Sequence, residues 1–127
     1  MKKFLVFLSL IVFMGLLGCS TESISSYEEK LEEKGWDVYL IESEDFDEEN
    51  APDGIVKVLE AEKGLWDYGY IYEFNSSSNA SSFFNEIKDE FLAEGGSDTD
   101  VDDYIKLSGN LVFYSFTKGF FEDLDMD

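Results

Sequence analysis

Trp66-Asp67-Tyr68-Gly69-Tyr70-Ile71-Tyr72-Glu73-Phe74 alternates without a break between ring-bearing residues and Asp, Gly, Ile or Glu. A period of two is the signature of a strand. It places Trp66, Tyr68, Tyr70, Tyr72 and Phe74 on one face and Asp67, Gly69, Ile71 and Glu73 on the other. Such a row of rings has two possible uses. Turned inward, each ring buries ~150–250 Å² and the row forms most of a core. Turned outward, the row becomes a platform for stacking on sugars or a peptide. The core is the plainer role, although three phenolic hydroxyls each need a partner or water when buried.

Elements on either side extend the pattern. After the strand, Ser77 or Ser78 caps a helix whose apolar face is Ala80, Phe83, Phe84, Ile87 and Phe91, closed by Gly95-Gly96. Residues 104–107 and 111–116 flank Ser108-Gly109-Asn110, a hairpin signal, and Thr117 caps a last helix carrying Phe120, Phe121 and Leu124. Before the strand, residues 53–63 are ambiguous. Ile55, Val58, Leu59 and Glu62 follow helical spacing between Pro52 and Gly64, while the β-branched residues favour a strand. Helix is the preferred reading. Trp36-Asp37-Val38-Tyr39-Leu40-Ile41 reads as a strand, preceded by a short helix with Tyr27 and Leu31 on one face that stops at Gly35. The expected fold is therefore α+β: a two-layer sandwich with a largely antiparallel sheet of about four strands and helices packed on one face. A ferredoxin-like arrangement is the nearest common analogue.

Composition narrows the function. The 127 residues include 9 Lys+Arg against 29 Asp+Glu, a formal charge of −20 that repels nucleic acid. At 44% hydrophobic and 17% aromatic, the chain is too apolar for a disordered acidic tail. There is no His, no Arg and no Gln, and Cys19 is the single cysteine. An intrachain disulfide, a Ser–His or Cys–His nucleophile and a guanidinium clamp for phosphate are all out of reach.

The N-terminus carries an address. Met1-Lys2-Lys3 is a short basic start, and residues 4–17 are apolar except for Ser9 and Gly15. As a helix this run spans about 21 Å, short of the ~30 Å hydrocarbon core, so it reads as a signal-peptide core. Leu16-Leu17-Gly18-Cys19 follows, and it resembles the lipobox of bacterial lipoproteins. The resemblance implies cleavage between Gly18 and Cys19 and a diacylglyceryl group on the Cys19 sulfur. Residues 1–18 are then a removed signal peptide, residues 19–26 a lipidated cysteine with a polar tether, and residues 27–127 an acidic domain. With Lys2 and Lys3 lost, seven lysines face 29 acids, a formal −22. Composition and layout are also similar to those of small lipoproteins of unknown function from low-GC Gram-positive bacteria, a resemblance that assigns no activity.

Three features are candidates for chemistry. Asp98, Asp100 and Asp102 imitate the opening of a calcium loop, where alternate carboxylates converge on a hard cation. The imitation then fails, because Asp103 stands where the turn needs Gly and Gly109 where the bidentate Glu belongs. A solvated acidic loop is the plainer reading. Phe46 lies inside the acidic run Glu42, Glu44, Asp45, Asp47, Glu48, Glu49 and either tucks into the core or anchors a partner. The aromatic row makes Trp66, Tyr68, Tyr70 and Tyr72 the remaining possible binding surface. No motif marks a catalytic site, and no cofactor is expected beyond the lipid on Cys19. The expected function is a non-catalytic binding or accessory domain, held at the extracytoplasmic face of a membrane by its lipid, that recognises a protein or extracellular ligand. A surface protein responsive to calcium or magnesium is the alternative.

Overall fold

The computed structural model describes residues 24–42, 45, 46, 49 and 51–126. The leader, Gly18, Cys19 and the tether as far as residue 23 lie outside the described residues. Among the described residues no helix is long and apolar enough to cross a membrane. The elements run α1 (Ile24–Glu33), β1 (Asp37–Glu42), β2 (Ile55–Lys63), β3 (Asp67–Phe74), α2 (Ser77–Ala93), α3 (Val101–Tyr104), β4 (Ile105–Ser108), β5 (Leu111–Tyr114) and α4 (Lys118–Asp123). The strands form one open sheet in the order β1-β2-β3-β5-β4, with every neighbouring pair antiparallel. The expected α+β class is what forms, with five strands for the expected four or so. The topology is a three-stranded meander extended by the β4–β5 hairpin. A ferredoxin-like fold, also antiparallel between neighbours, would instead carry two split βαβ crossovers, each helix joining strands that have a third inserted between them.

The fifth strand is the segment expected to be a helix. β2 pairs along its length with β1 and β3, so its backbone bonds are met on both sides, and Ile55, Val56 and Val58 suit a pleated chain. Two things disguised it. An irregularity between Ile55 and Lys57 shifts the register, breaking the alternation. The strand also presents apolar residues to both faces, and a strand covered on both sides does not alternate.

Both faces are covered because both carry apolar rows. Register sets Leu59, Ile71 and Phe113 side by side on one face and Val58, Tyr72 and Val112 on the other. The expected layer of helices on a single face describes the long helix α2, whose Ala80, Phe83, Phe84, Ile87 and Phe91 pack toward Phe74, Val112 and Ile105. The two short helices close the opposite face. Ile24, Tyr27 and Leu31 of α1, with Phe120 and Phe121 of α4, cover Leu59, Ile71 and Phe113. Ile24 is buried within this core, so residues 24–26 belong to the domain rather than to the expected tether.

Local chemistry sets the ends of these elements. The Ser76 hydroxyl caps α2 by accepting the Asn79 N–H at 3.1 Å, one residue before the expected cap. At its other end Gly95 takes φ +103° while the Gly96 N–H bonds the Phe91 carbonyl at 2.9 Å, a glycine stop as expected. Gly69 has a different task. A Cβ there would collide with the Phe120 ring, so the missing side chain lets α4 lie directly on β3. A latch closes this side: the Trp36 indole N–H donates to Asp123 at 2.8 Å, and Lys63 reaches the same carboxylate at 3.8 Å.

Candidate tyrosine surface

β3 is core at one end and open at the other. Phe74 is fully buried, and Tyr72 lies edge-on to Phe83 of α2 with ring centres 4.8 Å apart. Beyond Tyr72 the helix no longer covers the strand. Tyr70 is half-buried and Tyr68 exposed, whereas Ile71 between Tyr70 and Tyr72 has no exposure on the opposite face. The strand's inward-or-outward question therefore has a divided answer, because α2 covers only one end of its ring-bearing face.

The open end is larger than one strand. Tyr70 stands 6.4 Å from Tyr114 of β5, and Tyr114 stands 5.3 Å from Phe116, half of whose surface is exposed. On the other side Tyr70 pairs with Glu60 and Tyr68 with Glu62 of β2, and Glu60 pairs with the exposed Tyr39 of β1. Two clefts flank the central Tyr70–Tyr114 pair. One, of about 320 Å³, is lined by Glu60, Glu62, Leu65, Tyr68 and Tyr70. The other, of about 310 Å³, is lined by Tyr72, Glu86, Glu90, Glu94 and Tyr114.

The carboxylates register in the tyrosines. Burial comes first and the neighbouring charges second in holding the phenols above their ordinary pKa. Glu60, Tyr68 and Glu62 act this way on Tyr70, and Tyr68, Glu94 and Glu90 on Tyr114. Burial under α2 raises Tyr72 furthest. The hydroxyls therefore stay neutral well above pH 7, available as donors and as electron-rich rings.

Residues after β5 pin the open end. The buried Ser115 hydroxyl donates to the Tyr68 carbonyl and accepts the Thr117 N–H at 2.9 Å. The Tyr68 N–H in turn donates to the Thr117 hydroxyl at 3.3 Å. Thr117 precedes α4 as expected, but its side chain holds β3 instead of capping the helix. At the far end Asn110 accepts the Phe74 N–H and donates its amide to the Phe74 carbonyl, both at 2.9 Å.

The other sequence candidates scatter. Trp66 falls in the β2–β3 turn, where it is 85% exposed and, among the described residues, pairs with no ring; Leu65 beside it is 91% exposed. Phe46 is half-buried in the loop after β1, at the opposite end of the strands from Tyr68. Asp98 and Asp100 sit in a single 3-10 turn and Asp102 in α3, all exposed. Among the described residues no group of three or more His, Cys, Asp or Glu is placed to hold a metal ion. Tyr39, Glu60, Glu62, Glu90, Glu94, Tyr114 and Phe116 join the surface without having been singled out in sequence. Glu60 and Glu62 stood in the segment read as a helix, which hid their place beside Tyr68 and Tyr70. No family model matches the chain, and neither does any curated protein or solved structure.

Proposed function

We propose that this chain is a lipid-anchored, non-catalytic binding domain at the extracytoplasmic face of a bacterial membrane, and that it binds through its open tyrosine surface. The observation carrying the second half is the row Tyr68, Tyr70, Tyr114 and Phe116, its outer members exposed and its inner pair half-buried, on a sheet face that α2 covers only in part. A contiguous exposed aromatic patch on a small domain marks an interaction site more often than a scatter of single apolar residues does. The first half rests on the resemblance of Leu16-Leu17-Gly18-Cys19 to a lipobox. Two acyl chains hold a protein stably where one does not, and the strongly acidic domain gains nothing from anionic lipid.

Two measurements test the reading. Metabolic labelling with a tagged fatty acid should vanish in Cys19→Ala, since the chain has no other thiol; persistent labelling would sink the anchor. A photo-reactive amino acid placed at Tyr68 should give a discrete cross-linked species in cells, while the same group at Glu29 on the exposed side of α1 should not. Equal labelling from both positions would remove the tyrosine surface as the binding site.

A further inference from the structure

Taking the open tyrosine surface to be the binding site, as proposed above, we infer that its occupant is an extended basic segment of a protein partner, seated by lysine or arginine side chains on the tyrosine rings. Ring geometry is the first argument. Tyr68 and Tyr70 meet at 68° and Tyr114 and Phe116 at 65°, with the central Tyr70–Tyr114 pair tilted by 34°, so the four rings share no common plane and make no level floor for a sugar ring to stack upon. Electron-rich ring faces attract a cation, which sits over a ring within ~6 Å of its centre.

Charge is the second argument. Glu60 and Glu62 line one side of the tyrosine row and Glu90 and Glu94 the other. None of the four is in an ion pair among the described residues; the pairs Lys30–Asp125 and Lys63–Asp123 belong to the opposite face of the sheet. A cationic ligand would therefore meet rings and unmatched carboxylates together.

Spacing is the third. Tyr68 and Tyr70, alternate residues of β3, have ring centres 5.9 Å apart, and Tyr114 lies across the sheet from Tyr70 at 6.4 Å. Alternate residues of an extended chain are ~6.6 Å apart, so cationic side chains at every second position of a segment lying along β3 would fall in step with Tyr68 and Tyr70, with Tyr114 beside them.

The test uses the full chain in detergent and three probes: a short peptide alternating Lys and Ser, the same peptide with Glu for Lys, and a neutral glucose oligosaccharide. Calorimetry should detect binding of the lysine peptide alone. Tyr70→Ala, which removes a ring and no charge, should weaken it about tenfold, the loss expected of a strong cation–π contact. Neutralising Glu60, Glu62 and Glu90 together to Gln should weaken it at least as much. Neutralising the exposed Glu29, Glu32 and Glu33 of α1, the same change in net charge, should alter it less than about threefold. Equal losses from the two triple variants would mean general attraction to a polyanion and would overturn the inference. Absence of lysine-peptide binding overturns it as well. Binding of the oligosaccharide instead, lost in Tyr70→Ala, would overturn the basic occupant while leaving the surface itself in place.

Discussion

Ile71 and Tyr70 are neighbours in one strand and live in opposite worlds. Ile71 is sealed between Leu59 and Phe113 under two short helices, while Tyr70 stands among rings and carboxylates with solvent beside it. The closed face uses small contacts to bring helices near: no side chain at Gly69, Phe120 across that gap, and the Trp36 latch to Asp123. The other face has one helix, α2, which crosses from β3 toward β4 and β5 and leaves the first half of β3 uncovered. The comparison teaches that two faces made from a single alternating sequence can differ in cover, one sealed along the strand and the other sealed at one end only.

The largest effect should come from the closed face. Phe120 is fully buried, edge-on to Trp36 at 5.6 Å, and Phe120→Ala should lower stability by about 3–5 kcal/mol in chemical denaturation. Gly69→Ala, which drives a methyl into the same ring, should cost about 1–3 kcal/mol. A neutral result for both would mean that α4 does not seat on β3.

Next comes the direct contrast. Ile71→Ala should cost about 2–5 kcal/mol, and Tyr70→Ala about 1 kcal/mol, the scale of an aromatic pair. This ranking reverses what an all-core reading of the aromatic row predicts. If Tyr70→Ala proves the more damaging, the open face contributes to the fold as strongly as the closed one.

Alkali sharpens the comparison differently. Tyr72, Tyr70 and Tyr114 all lie on the α2 side, and burial followed by neighbouring charge raises each above its unfolded value near 10. Neutral phenols favour the fold, so their contribution is complete below pH ~10. It is lost as pH rises further, because the unfolded chain ionises first. The melting temperature should therefore fall above pH ~10, with tyrosinate absorbance rising as the protein unfolds, and Tyr72→Phe should make that fall shallower. A drop of unchanged steepness in Tyr72→Phe would count against its burial under α2.

Salt should have the smallest effect. With 29 acids to 9 bases, screening of mutual repulsion at a Debye length of about 8 Å should raise the melting temperature modestly. Calcium should do no more than sodium chloride at matched ionic strength, and a larger rise would favour the cation-responsive alternative.

Strict alternation over Asp67–Phe74, the 3.6-residue apolar stripe of α2, the glycine stop at Gly95 and the Ser108-Gly109-Asn110 turn are each set by neighbours in sequence, and so were readable there. The α+β class followed from them. β2 was not readable, because apolar residues on both of its faces and the register shift between Ile55 and Lys57 erase the alternation that marks a strand. Which end of the tyrosine row is core depends on the path α2 takes across the sheet, and which carboxylates stand beside the rings depends on strand order. Both are long-range facts. Local periodicity says that Tyr70 and Ile71 point apart; only the packing of helices from distant parts of the chain decides that Ile71 is the one sealed in.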